Sequence, residues 1–94
     1  MKISITNEAV QWYKEELSLT TGYVKFFVRY GGSSTIQEGF SLGISTEPPQ
    51  QPAVETTMDG ITFYIEEADV WYFDEKDMNI TMDDKSNEPK VNIQ

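Results

Sequence analysis

Asp59-Gly60 stands between two runs whose apolar residues fall on alternate positions, Val54 to Met58 before it and Ile61 to Ile65 after it. An Asp-Gly pair in that setting marks a two-residue hairpin. Both central residues of such a turn need positive φ, which glycine adopts freely and aspartate tolerates. The pair therefore predicts two antiparallel strands with one apolar face, and that face must be buried against another layer. Further runs share the two-residue period. Val24, Phe26, Val28 and Tyr30 alternate with Lys25 and Arg29; Phe40, Leu42 and Ile44 alternate with small residues; Met78, Ile80 and Met82 alternate with Asn79 and Thr81. Lys90-Val91-Asn92-Ile93 reads as a short final strand. Phe27 interrupts the charged side of the first of these runs, so that side too is expected to be covered.

A helical period opens the chain. Thr6 reads as an N-cap with Glu8 in the first turn, and Ile5 and Val10 take the positions of a hydrophobic staple. Ala9, Val10, Tyr13 and Leu17 then form one apolar stripe. Thr20-Thr21-Gly22 is expected to end the helix, with Gly22 as the left-handed cap. Thr46 to Pro52 holds three prolines and reads as a loop. Glu67 to Phe73 fits a helical turn or an extended segment equally. The result is one α+β domain over residues 1–94, strand-rich and opened by one N-terminal helix.

Charge and composition narrow the function. Sixteen Asp and Glu face seven Lys and Arg, a formal charge of −9. That field repels a phosphate backbone and an anionic membrane surface alike, and of the basic residues only Lys25 and Arg29 come close together. The expected partners include neither nucleic acid nor membrane. No apolar run approaches the ~18 residues of a membrane span, and Met1 to Thr6 lacks the apolar core of an export signal, so the cytosol is the expected compartment. The Asn79-Ile80-Thr81 sequon is then read as chance. The chain contains neither Cys nor His. It offers no thiolate and no imidazole to a metal or an iron–sulphur cluster.

The candidate chemistry is thin. Ser33 and Ser34 follow Gly31-Gly32, but a serine triad needs a histidine base, and the surroundings are not a Gly-x-Ser-x-Gly elbow. The glycine pair could form an anion-binding nest, yet a strand-to-loop reversal needs the same glycines. Glu66, Glu67, Asp69, Asp74, Glu75 and Asp77 crowd one stretch, but Asp74, Asp77 and Asn79 do not follow calcium-loop spacing. They read as a solvated acidic face, and no pair is singled out for acid/base catalysis. Trp12, Trp71, Tyr72 and Phe73 read as core, with one qualification. Trp71-Tyr72-Phe73 is too bulky for all three rings to enter one small core. At least one is expected at the surface beside Asp69, Asp74 and Glu75, as in a binding hot spot.

Taken in order, Ile5-Thr6 with its helix, Val28-Arg29-Tyr30-Gly31-Gly32, Phe40-Ser41-Leu42-Gly43-Ile44, Asp59-Gly60-Ile61, Tyr72-Phe73-Asp74 and Lys90 to Ile93 span almost the whole chain. This succession resembles the HesB/IscA-like family of A-type iron–sulphur cluster assembly proteins. The resemblance implies a compact mixed β-sandwich or pseudo-barrel, the HesB-like domain. In that family three cysteines hold iron or a cluster, one in a Gly-Gly-Cys-Ser-Gly loop and two in a Cys-Gly-Cys tail. Ser33 stands at the first cysteine's place, and the sequence reaches Gln94 before such a tail would begin. A serine alcohol stays protonated near neutral pH and is a poor iron ligand. The resemblance therefore carries the fold and not the cluster chemistry. Family members often pair up, which leaves room for a homo-oligomer, though nothing in the composition shows one.

The reading that follows is a non-enzymatic domain with no catalytic residue, no cofactor and no metal ligand. It works by binding an unidentified protein partner, in an accessory role near iron–sulphur assembly by ancestry. Phe27, Trp71, Tyr72 and Phe73 are the expected interaction surface. Two alternatives stay open: a small-ligand or carboxylate-based metal-binding protein, and a cofactor-free enzyme.

Overall fold

The computed structural model describes residues 1–30 and 40–94. Its elements are β1 (Ile3–Ile5), α1 (Asn7–Glu16), β2 (Gly22–Tyr30), β3 (Phe40–Ser45), β4 (Pro52–Met58), β5 (Ile61–Glu66), a 3-10 turn (Val70–Phe73), β6 (Met78–Asp83) and β7 (Glu88–Ile93). They form a four-stranded sheet in the order β3-β2-β5-β4 and a three-stranded sheet in the order β1-β6-β7. Both sheets are mixed. β2 runs parallel to β5 and β1 parallel to β6, while the remaining pairs are antiparallel. The protein is thus a strand-rich α+β fold with one α-helix among the described residues.

The hairpin at Asp59-Gly60 forms as its sequence requires. Asp59 has φ 51° and Gly60 φ 81°, and Met58 pairs with Ile61 across the turn. Two positive φ values define the turn whose twist matches that of the flanking strands. The turn is also a joint. The Asp59 carboxylate accepts from Gln11 Nε2 at 2.7 Å and Lys14 Nζ at 2.9 Å, tying it to α1. The Gly22 N–H donates to the Gly60 carbonyl at 3.2 Å, tying it to the start of β2.

The helix begins where expected and ends earlier than expected. The Thr6 hydroxyl accepts from the Ala9 N–H at 3.3 Å, and Ile5 and Val10 enter the same core. At the other end Ser18, not Gly22, takes the left-handed position, with φ 54°. Ser18 N–H donates to Glu15 O at 3.3 Å and Leu19 N–H to Lys14 O at 2.8 Å, the paired bonds of a Schellman cap. Leu17 and Leu19 pack against the core on either side of it, so apolar burial holds a serine in a conformation usually left to glycine. Gly22, at φ 141°, opens β2 instead.

Strand β1 is not foreshadowed by any periodic run. Three residues are too few to show alternation, and their partner lies far away in sequence, with Ile3 opposite Met78 and Ile5 opposite Ile80. The ambiguous stretch before β6 resolves into the 3-10 turn, ended by Asp74 at φ 51°.

One core joins these parts. Ala9, Val10 and Tyr13 of α1 meet Val24, Phe26, Ile61, Phe63 and Ile65 from the four-stranded sheet. Ile3, Ile5, Met78 and Ile80 from the other sheet, with Tyr72 and Phe73 of the 3-10 turn, complete it. The Tyr13 ring stands edge-on to Phe26 (centroids 6.0 Å) and to Phe63 (5.6 Å), which stack on each other at 19°. Burial pushes the Tyr13 phenol up to about 12, so it stays neutral throughout the physiological range.

Replacing Gly60 by valine is expected to lower stability by about 1 kcal/mol or more, because a β-branched residue resists positive φ. The position leaves little room besides, since a Cβ there would meet Thr21 Cγ2 at 3.2 Å. Urea unfolding followed by circular dichroism measures the shift, and an unchanged midpoint would contradict the role given to this turn.

Candidate functional site

The glycine–serine segment singled out in the sequence, Gly31-Gly32-Ser33-Ser34, lies outside the described residues. The other sequence-predicted residues fall on two separate surfaces.

The first is the outer face of the four-stranded sheet. Alternation sends Val24, Phe26 and Val28 of β2 to the core and leaves Lys25, Phe27 and Arg29 on the other side. Phe27 lies directly opposite Gly43 of β3. A Cβ built on Gly43 would come within 2.6 Å of Phe27 Cζ and 2.7 Å of Arg29 Cδ. The ring and the arginine stem therefore close over the glycine, and Phe27 is half-buried within its own sheet. The cover expected for this face comes from the chain itself. Next to it, Tyr64 of β5 points to the same outer side as Lys25 yet is fully buried. The proline loop between β3 and β4 folds across it. The Tyr64 hydroxyl donates to the Glu47 carbonyl, and the N–H groups of Gln50 and Gln51 donate to the Glu66 carboxylate at 2.8 and 2.6 Å. Glu66 thus acts as a clasp and not as part of a free acidic face. The Gln50 N–H above all, then the Gln51 N–H and Lys25, hold its carboxyl below the usual range against the cost of desolvation. Desolvation, followed by the charges of Glu66 and Glu47, raises the Tyr64 phenol.

The second surface is built around the 3-10 turn. Its three consecutive aromatics separate: Tyr72 and Phe73 are fully buried, while Trp71 is 48% exposed. The turn's tight winding sends neighbouring side chains in different directions, and the core accepts two of the three. Tyr72 and Phe73 therefore drop out of the expected interaction surface, and Phe27 is engaged with Gly43. Trp71 remains, edge-on to Tyr72 with centroids 6.0 Å apart. Around it Met1, Ala53, Val54 and Val70 line an open cavity of about 630 Å³, rimmed by Asp74 and Glu75. Ala53 and Val54 come from β4, about twenty residues away in sequence, and local pattern gives no sign of that meeting. The rim is unusual. Asp74 (φ 51°) and Glu75 (φ 64°) are consecutive non-glycine residues in the left-handed region, which L side chains enter at some cost.

The sequence matches the family described as iron-sulphur cluster biosynthesis over residues 1–90. The chain belongs to that family. A relative 48% identical over the full length of both chains is the "Pyruvate dehydrogenase inhibitor" of Bacillus subtilis (strain 168). An uncharacterised protein of Staphylococcus saprophyticus is 39% identical over 89% of this chain and 90% of its own. One from Staphylococcus aureus (strain MRSA252) is 35% identical over 94% of both. No solved structure matches significantly.

An iron–sulphur cluster does not fit the donors present. The sequence supplies no cysteine and no histidine, and among the described residues no three acidic side chains gather where they could hold a metal ion. Clusters of this family's kind need thiolate sulphur, and carboxylates do not replace it. Nor is any helix of the described residues long and apolar enough to cross a membrane.

Two outcomes are expected from this geometry. Gly43→Ala should destabilise the protein by about 1 kcal/mol as Phe27 and Arg29 are pushed aside, and by less when Phe27 is already alanine and only Arg29 has to move. A urea double-mutant cycle reads the coupling, and additive effects would separate the two positions. Glu66→Gln tests the clasp through pH. Because the native carboxyl is held low, its stabilisation is complete above the ordinary Glu value of 4.5 and is lost as pH falls through the lower native value. The variant should melt lower than the parent at neutral pH and converge with it in acid. Parallel melting curves at all pH values would contradict the assignment.

Proposed function

We propose that this chain is a non-enzymatic, partner-binding member of the iron–sulphur cluster biosynthesis family that inhibits pyruvate dehydrogenase in the cytosol. The observation that carries this reading is the full-length relative, 48% identical, named as a pyruvate dehydrogenase inhibitor. That identity runs over the full length of both chains.

The composition supports it. A domain with no cysteine and no histidine lacks the ligands for cluster transfer and the usual bases for nucleophilic catalysis. What a compact, acidic scaffold offers in their place is shape and charge. Inhibition by such a chain is non-covalent: it occupies a surface of the enzyme and obstructs substrate access or subunit movement, with an affinity set by a few anchoring side chains.

The test uses the purified chain and the pyruvate dehydrogenase complex of the same organism. Pyruvate-dependent NADH formation should fall in a saturable manner as the chain is added and recover on dilution. The two should also co-elute in gel filtration. Full activity at a large molar excess of the chain, with no co-elution, would refute the reading.

A further inference from the structure

We propose that the cavity beside Trp71 is the docking surface of this protein, and that its occupant is an arginine-bearing segment of the partner. The inference rests on the reading of the chain as a partner-binding protein and adds the surface and the chemistry it selects.

Three features meet there. The first is an apolar floor. Met1, Ala53, Val54 and Val70 come from three separate parts of the chain and, together with Trp71, Asp74 and Glu75, line an open cavity of about 630 Å³. The second is a rigid aromatic face at its side. Trp71 stands 48% exposed on a turn whose next two residues are locked in the core, so its backbone has little freedom. The third is a pair of carboxylates, Asp74 and Glu75, that follow directly and rim the same cavity. Their consecutive left-handed backbone angles hold them at the end of the turn.

This combination selects among occupants. An arginine side chain satisfies all three features at once. Its guanidinium stacks on an indole face, pairs in plane with a carboxylate and carries an apolar stem that covers the floor. Lysine offers the charge without the flat stack. An acidic or phosphorylated segment is repelled by the rim and by the net charge of −9. A second copy of this chain fits poorly for the same reason. A two-fold contact would set Asp74 and Glu75 against their own counterparts in a protein already short of positive charge.

The peptide arm of the test needs no knowledge of the enzyme. The ¹⁵N-labelled chain is titrated with a short peptide in which arginine alternates with leucine, and separately with the same peptide carrying glutamate in place of arginine. The arginine peptide should shift the Trp71 indole and the amides of Ala53, Val54, Val70 and Glu75, weaken with added salt, and have no counterpart in the glutamate peptide. Trp71→Ala should weaken it about five- to tenfold, the range of a partly exposed cation–π contact, and Trp71→Phe should restore part of the loss. The pair Asp74→Asn with Glu75→Gln should weaken it without removing the ring, and decides the matter if Trp71→Ala does not fold. Shifts scattered over the whole acidic surface, or binding unchanged in these variants, would overturn the proposal.

The same variants are then assayed against pyruvate dehydrogenase, and inhibition should fall in the same order. If the parent chain inhibits and the variants inhibit equally well, the docking surface lies elsewhere while the functional reading stands. If the parent chain leaves the enzyme untouched but the arginine peptide still maps to Trp71, the enzyme is the wrong partner and the surface stands.

Discussion

Tyr13 set edge-on against the stacked pair Phe26 and Phe63 joins the helix to the central strands of the larger sheet. The polar link from Gln11 and Lys14 to Asp59 lies at the surface and is weakened by solvent, so the helix depends chiefly on that apolar contact, which Ala9 and Val10 extend. With it, the helix is placed closely enough for those polar contacts to form, and the hairpin turn they hold sets the pairing of β4 with β5 and the start of β2. Ile3 and Ile5, just before the helix, are carried to β6 as a consequence. The two sheets thus share one core because a helix of ten residues is fixed at both ends and along one face.

The two faces of interest differ in what they leave available. On the outer side of the larger sheet the chain covers itself: Phe27 fills the space over Gly43, and the proline loop seals Tyr64. At the 3-10 turn Trp71 is half exposed, and it lines an open cavity together with two carboxylates and the apolar side chains of Met1, Ala53, Val54 and Val70. Family membership and the loss of every thiolate point the same way. When the residues that carry a family's chemistry are absent, what persists is a scaffold that can present a shaped surface.

Much of this was legible in the sequence wherever the controlling interaction is local. The Asp59-Gly60 turn, the Thr6 cap, and the alternating strands β2, β3, β4, β5 and β6 each announce themselves within a few residues, because turn geometry and burial periodicity act at that range. The failures share the opposite character. Strand β1 depends on a partner more than seventy residues away, Ser18 replaces Gly22 as the cap because Leu17 and Leu19 both reach the core, and Glu66 is a clasp only because a loop returns to it. The candidate surface shows the same division. That one ring of Trp71-Tyr72-Phe73 would stay outside follows from bulk alone. Which ring, and that Ala53 and Val54 would face it, required the fold.

The parallel pairing of β1 with β6 also orders events in time. The backbone of Lys2 donates to the Asp77 side chain at 2.8 Å and its carbonyl receives the Met78 N–H at 2.8 Å, so the first strand of the chain has no partner until its last third exists. On the ribosome the amino end must wait, with Ile3 and Ile5 uncovered, while the helix and the larger sheet are made. Loop closure over that span is slow compared with hairpin formation, so the smaller sheet assembles last and closes the core as it does so. Until Met78 and Ile80 are in place, Ile3 and Ile5 lack the strand that pairs with them, so this edge of the core is the one most exposed to mispairing while the protein folds.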